Sequence, residues 1–177
     1  MGSIKDQEIY IVLTYTGTFL SRFIKIYTGD EFSHVSLSLD KNLNEMYSFG
    51  RLNPYNPFIG GFIHEKIDDG TFKRFPKTKA AIYALRVTPH QYNKIKQIIK
   101  EMKKEKSNYK FNIIGLFATG LNIKYQKANA FYCAEFVKYL IDEANININL
   151  PALVKPNDFK KIEKLKLEYQ GTLKNYS

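Results

Sequence analysis

The chain has only one cysteine and three histidines among its 177 residues, so few side chains can act as nucleophiles or carry protons near neutral pH. A lone cysteine excludes an internal disulfide, and the scattered histidines do not form a zinc pattern. No apolar run reaches the roughly 18 residues of a membrane-spanning helix. The first residues also lack the hydrophobic core of a signal peptide. We therefore expect a cytoplasmic protein with no transmembrane segment, no metal and no organic cofactor.

Acidic residues are scarce relative to basic ones, which gives a formal net charge of +10. An excess of this size raises the question of an anionic partner. The basic residues are mostly lysine, however, whereas arginine is favoured for bidentate recognition of phosphates and bases. The densest basic stretch, residues 94–106, reads as the solvated face of one helix. We do not expect nucleic-acid binding, but a non-catalytic module that binds an anionic partner through its lysines remains an alternative.

The length and the apolar content of 44% suit one domain spanning residues 1–177. Alternating and β-branched segments predict strands at residues 8–14, 34–39, 44–49, 62–67, 80–87 and 165–169. Helical spacing predicts helices at residues 18–27, 89–106, 112–121 and 130–144. Residues 51–61, with two prolines and two glycines, predict a loop. The order predicts an α+β fold in which an antiparallel sheet, a small barrel or half-barrel, packs against helices.

Cys133 begins the last predicted helix, and its simplest interpretation is a buried core residue, because it shares an apolar stripe with Phe136 and Leu140. Its position supports another interpretation. The free N–H groups and the dipole at a helix N-terminus stabilise a thiolate and can bind an oxyanion. Cys133 is therefore a candidate nucleophile.

His34 begins a predicted strand and could simply be an exposed histidine on its polar face. Its neighbours on that face, Ser36 and Ser38, are small and leave room for another element. A cysteine helix packed across that face would bring Cys133 close to the imidazole, which could then act as a general base and acid. His64 and His90 are weaker candidates.

A catalytic base usually needs a third group to orient it, and the strand after His34 offers Glu45 and Tyr47. A tight turn centred on residues 41–42 would pair His34 with Phe49 and place Tyr47 diagonally from the imidazole. In that register Glu45 lies too far away, unless a bulge or a wider turn moves it. Electrostatics favours the carboxylate, because it stabilises an imidazolium. The residues alone leave both candidates open.

These features together resemble a known family, the circularly permuted papain-like hydrolases of the NlpC superfamily, and most closely its YiiX-like group. The resemblance covers roughly residues 8–170. It is carried by Phe32-Ser33-His34-Val35 before a hairpin, by Tyr132-Cys133-Ala134-Glu135-Phe136-Val137, and by residues 21–29 and 154–159. It implies a permuted papain-like fold with Cys133 as nucleophile, His34 as base and Glu45 as the third residue.

The resemblance also implies an activity. Members hydrolyse amide bonds in cell-wall-type or other small peptides through an acyl-thioester, or they hydrolyse and transfer acyl groups of lipids in the related lecithin:retinol acyltransferase branch. Here Tyr132-Cys133-Ala134 stands where that branch has Asn-Cys-Glu. We expect a small peptide or acyl substrate, in a cleft bordered by Tyr15, Tyr47 and Tyr132.

Overall fold

The computed structural model describes residues 6–18, 21–22, 25–26, 29–53 and 56–176, so the helix predicted at residues 18–27 falls partly outside the described residues. The strands are β1 (Gln7–Tyr15), β2 (His34–Ser38), β3 (Met46–Asn53), β4 (Asn56–Glu65), β5 (Lys79–Val87), β6 (Lys110–Phe111), β7 (Ala130–Phe131) and β8 (Lys166–Thr172). The helices are α1 (Gly70–Arg74), α2 (Pro89–Lys104), α3 (Ile113–Gly120) and α4 (Cys133–Glu143). Short 3₁₀ turns lie at Lys106–Asn108, Pro156–Lys161 and Leu173–Asn175.

Six of the strands form one sheet in the order β4-β3-β2-β1-β5-β8, and β6 pairs with β7 in a separate ribbon. Every neighbouring pair in the large sheet is antiparallel. The central strand β1 is buried on both faces from Ile9 to Leu13, as its unbroken apolar run predicts. The predicted α+β class with an antiparallel sheet is confirmed. Within the described ranges, no helix has both the length and the apolar character that crossing a bilayer would require.

The main core lies between one face of the sheet and helices α2 and α4. Leu37 and Phe49 meet α4 there, and the rings of Phe49 and Phe136 lie 5.1 Å apart. Helix α2 starts with the predicted capping box of Thr88 and Gln91. The cysteine helix therefore packs on the apolar face of β2. The expectation that it would cross the polar face was wrong, because the buried apolar stripe of α4 needs an apolar partner.

The turn between β2 and β3 is wider than the sequence suggested. Leu39 N–H donates to Glu45 O, so residues 40–44 form the connection, and Asp40 holds it by accepting from the N–H groups of Asn44 and Glu45. Leu43 adopts a left-handed φ of 58° while its side chain is 2% exposed in the second core cluster. As a result Leu37, not Ser36, pairs with Tyr47, a shift of one residue from the predicted register.

The segment predicted as a loop, residues 51–61, instead continues β3 and begins β4. The two strands pair from Met46 opposite Glu65 to Arg51 opposite Gly60, and the register shifts near Asn53. Gly60 permits this close pairing, because a Cβ there would lie 2.6 Å from both the Gly50 carbonyl oxygen and the Phe111 Cβ. Glycine here therefore marks a close backbone approach rather than a loop.

Candidate active site

His34 and Glu65 form a partly buried pair on the polar side of the sheet. The imidazole Nε2 lies 3.0 Å from Glu65 Oε1, and the two side chains are 21% and 12% exposed. The Ser36 hydroxyl donates to Glu65 Oε2 and lies 3.3 Å from His34 Nε2. The carboxylate is thus held by two groups from β2, and the imidazole has one fixed orientation.

Glu65 reaches His34 from β4, although β3 lies between β4 and β2. The face of β3 that lies between them carries small residues, Ser48 and Gly50. A Cβ built on Gly50 would lie 3.5 Å from His34 Cε1 and 3.9 Å from Ser48 Oγ, so the imidazole rests above this part of β3. Small residues on the middle strand therefore give the two longer side chains room to meet above it.

The electrostatics of the pair follow from opposing effects. Burial by itself disfavours the imidazolium, but the Glu65 carboxylate, together with Cys133, outweighs this and raises the pKa of His34 from 6.5 to about 10. Burial would likewise raise the pKa of Glu65, but the charge of His34 and hydrogen bonding to His34 and Ser36 lower it overall. Ser48 contributes to this lowering, although its buried Oγ forms no hydrogen bond of ordinary geometry. Both shifts favour an imidazolium beside a carboxylate.

Cys133 is the first residue of α4 and is 3% exposed. Its thiol lies near enough to His34 to contribute to the raised pKa of the imidazole. Since Glu65 occupies Nε2, Nδ1 is the ring nitrogen left for the thiol. The first backbone hydrogen bond of α4 runs from Phe136 N to Tyr132 O, so the Cys133 N–H precedes the helical ladder. The Cys133 thiol thus lies beside both the His34 imidazole and the positive end of the α4 helix dipole.

A pocket of about 260 Å³ opens beside these groups, and Cys133, His34 and Glu65 all line it. Its walls come from the ends of β2, β3 and β4, from residues 69–72 at the start of α1, and from Phe111 and Leu116. Lys66 and Asp69 add charge to the lining. The pocket therefore offers apolar and charged surface to a ligand beside the thiol.

The structure does not place Glu45 at this site. Glu45 pairs with Leu39, five residues along from His34, which is roughly 17 Å at the usual rise of a strand. Its carboxylate instead accepts from the Tyr47 hydroxyl and lies 4.0 Å from Lys103 Nζ. The expectation that Glu45 orients His34 is corrected to Glu65, because the wider turn carries Glu45 to the far end of the hairpin.

The Tyr47 alternative fails for a related reason. The one-residue shift turns Tyr47 into the main core, where it is 0% exposed and its ring stacks on Phe62 at 5.8 Å. Its hydroxyl accepts from Lys103 Nζ at 3.0 Å, on the opposite face of the sheet from His34. Tyr47 therefore neither orients the imidazole nor lines the pocket.

The other tyrosines expected at the cleft lie elsewhere. Tyr132 is 3% exposed, and its hydroxyl donates to the Val154 carbonyl at 3.2 Å, so it anchors the start of α4. Tyr15 packs beside the main core, while its neighbours Thr16 and Thr18 line the pocket. The segment, rather than the tyrosine, borders the cleft.

Sequence reasoning missed Glu65, although one signal pointed to it. Residues 62–67 predict a strand, and a hairpin centred between residues 55 and 56 would place Glu65 opposite Met46. That register puts Glu65 on the same face as Ser36 and His34. The interpretation of residues 51–61 as a loop concealed this pairing.

Comparison with known proteins does not supply a family: no family model matches the chain, and no curated protein matches it. The assignment of chemistry therefore depends on the geometry of the site.

Proposed function

We propose that the protein is a cysteine hydrolase in which Cys133 is the nucleophile, His34 the proton carrier and Glu65 the residue that orients His34. The observation that carries the proposal is the convergence of these three side chains on one pocket, where His34 lies beside the thiol and is hydrogen-bonded to Glu65. A nucleophile, a base and an orienting acid in this order form the arrangement that activates thiols in unrelated enzymes.

In the proposed reaction, the Cys133 thiolate attacks the carbonyl carbon of an amide, and the carbonyl electron pair moves onto oxygen. The Cys133 N–H at the start of α4 stabilises this oxyanion. The His34 imidazolium then gives its proton to the leaving nitrogen as the C–N bond breaks, which leaves an acyl-thioester. Water attacks the thioester, His34 accepts the water proton, and the carboxylic acid and the thiolate are released.

The raised pKa of His34 supports this division of roles. An imidazole that holds its proton up to about pH 10 stabilises an adjacent thiolate and is ready to protonate the leaving group. The pocket, about 260 Å³, suits a small group rather than a folded protein. We therefore propose small peptides or acyl amides as substrates, in keeping with the resemblance to NlpC-superfamily hydrolases.

Alkylation of the thiol tests the proposal directly, because the chain has one cysteine and any label must lie on Cys133. At pH 6 an ordinary thiol with a pKa of ~8.5 is almost fully protonated and reacts slowly. We expect wild-type protein to react with iodoacetamide at least about tenfold faster than free cysteine at this pH, even though Cys133 is buried. Mass spectrometry would follow the labelling.

His34→Ala should abolish this excess reactivity. His64→Ala is the matched control, because His64 also borders the pocket but its Nε2 donates to Asn44 O at 2.7 Å. A panel of fluorogenic peptide amides and acyl esters would then show turnover that Cys133→Ala eliminates. If Cys133 is labelled no faster than free cysteine and His34→Ala leaves the labelling rate unchanged, the enzyme proposal is wrong.

A further inference from the structure

Helix α3 and the segment after it expose an unusual amount of apolar side chain near the pocket. Ile114, Leu121 and Ile123 are 59%, 61% and 56% exposed. Tyr125, next along the segment, is 41% exposed. Scattered exposed apolar residues are common on proteins, but four within twelve residues of one element form a patch that needs a partner.

Hydrogen bonds fold the segment that carries these side chains back along α3. Ile114 and Leu121 are seven residues apart, a spacing that puts them on the same side of a helix. The chain then turns back along α3, because the N–H of Ile123 donates to Ala118 O at 2.8 Å. Further on, Asn112 Nδ2 donates to Tyr125 O at 3.2 Å, which returns the segment to the start of the helix.

The same surface is basic. Residues 106–134 contain four lysines and no aspartate or glutamate. All four, Lys106, Lys110, Lys124 and Lys127, are exposed. The Glu135 carboxyl lies near enough to Lys124 for the lysine charge to act on its pKa. We call Ile114, Leu121, Ile123 and Tyr125, with Lys124 and Lys127, the α3 surface.

We propose that the α3 surface docks on an anionic lipid bilayer. Apolar side chains beside lysines match the two layers of a membrane interface. The apolar side chains enter the region where headgroups meet lipid acyl chains, and the lysine ammonium groups contact the anionic headgroups. Tyr125 is of the residue type that prefers this depth. A nucleic acid would use the lysines but leave Ile114, Leu121 and Ile123 in water, and a second copy would bring like charges together. The lipid surface uses both features at once.

Vesicle flotation tests the docking. Wild-type protein should float with vesicles of 30% phosphatidylserine in phosphatidylcholine, should bind pure phosphatidylcholine at least about tenfold more weakly, and should lose binding as salt rises. Leu121→Ser with Ile123→Ser should lower the partition coefficient about tenfold or more, because each exposed apolar side chain loses its burial in the interface. Lys124→Glu with Lys127→Glu should lower it by a similar factor.

Two matched variants control for composition. Leu167→Ser removes an apolar side chain that is 48% exposed on β8, and Lys96→Glu with Lys100→Glu makes the same charge change on exposed positions of α2. Both should bind as wild type, and Cys133→Ala should too, which separates docking from catalysis. Apart from Cys133, all replaced positions are exposed, and circular dichroism would check the folding of every variant. Equal losses in the control variants, no binding to anionic vesicles, binding of RNA instead, or dimerisation abolished by Leu121→Ser with Ile123→Ser would overturn the proposal.

Discussion

A glutamate from a neighbouring segment lies near each end of β2 beside a proton-bearing partner, and the two glutamates differ in what they can do. At the His34 end, Glu65 is 12% exposed and bonded to both His34 and Ser36. At the other end, Glu45 is 49% exposed and its partner Lys103 is 46% exposed. Each carboxylate has one hydroxyl donor and one basic partner: Ser36 and His34 for Glu65, and Tyr47 and Lys103 for Glu45. They differ chiefly in how much water surrounds them.

Water decides what each carboxylate can do. A shielded charge acts strongly on its neighbour, whereas a solvated pair is screened and contributes little. Glu65 therefore controls the protonation and the orientation of His34. Glu45 forms only solvated contacts at the far end of the hairpin, and these have little effect on its partners. A catalytic role requires the first kind of environment, and exchanging or removing the two carboxylates gives a direct comparison.

The largest expected difference is in rate. Glu65→Gln keeps the shape of the side chain but removes its charge, so His34 loses the group that stabilises its imidazolium. We expect kcat/KM for a thiol-dependent substrate to fall about 100-fold or more. Glu45→Gln, measured in the same assay, should stay within about twofold of wild type. Equal rates for the two variants would remove Glu65 from the site.

The next difference is in stability. Glu65→Ala leaves the His34 ring and the Ser36 hydroxyl partly buried without their acceptor, and we expect a loss of about 2 kcal/mol in the free energy of unfolding. Glu45→Ala breaks an exposed contact and should cost less than about 1 kcal/mol. Urea denaturation at pH 6 would measure both. A Glu65→Ala protein as stable as Glu45→Ala would contradict the shielding argument.

The pH dependence should separate the two ends as well. A pKa raised from 6.5 to about 10 means that His34 contributes stability fully below about pH 6.5 and loses that contribution as the pH rises through 10. The lowered pKa of Glu65 means that its contribution is present above 4.5 and is lost as the pH falls below that value.

The advantage of wild type over Glu65→Gln should therefore be greatest near pH 5–6.5 and should shrink toward pH 10. Nuclear magnetic resonance titration of the His34 ring would give its pKa in each protein. We expect a value near 10 in wild type and in Glu45→Gln, and a clear fall in Glu65→Gln. If the pKa of His34 were the same in Glu65→Gln as in wild type, the carboxylate would not control the protonation of the imidazole.

The smallest effect belongs to Lys103→Met, which removes the cation beside Glu45 while keeping an aliphatic stem. Because both groups of the pair are nearly half exposed, we expect a change of less than about 0.5 kcal/mol in the free energy of unfolding. Thermal denaturation at low and at high salt would detect it. A larger loss would mean that the Lys103 hydrogen bond to Tyr47 matters more than the ion pair.

The sequence was sufficient to predict the parts of the site that depend on local signals. Cys133 begins a helix and His34 begins a strand, as the apolar spacing and the alternation indicate. The third member depended on long-range pairing. Its position follows from the width of one turn and from a hairpin in which Gly60 serves close packing, and neither is encoded by periodicity alone.

Leu43 connects this pairing to the rest of the fold. It accepts a left-handed backbone, which costs roughly 1 kcal/mol or more for a residue that is not glycine, and in return its side chain is anchored in the second core cluster. A slip of one residue in this hairpin would turn every side chain of β3 to the opposite face. Ser48 and Gly50 would then leave the space above which His34 meets Glu65. Leu43 thus belongs to the set of positions whose variation the candidate active site would restrict.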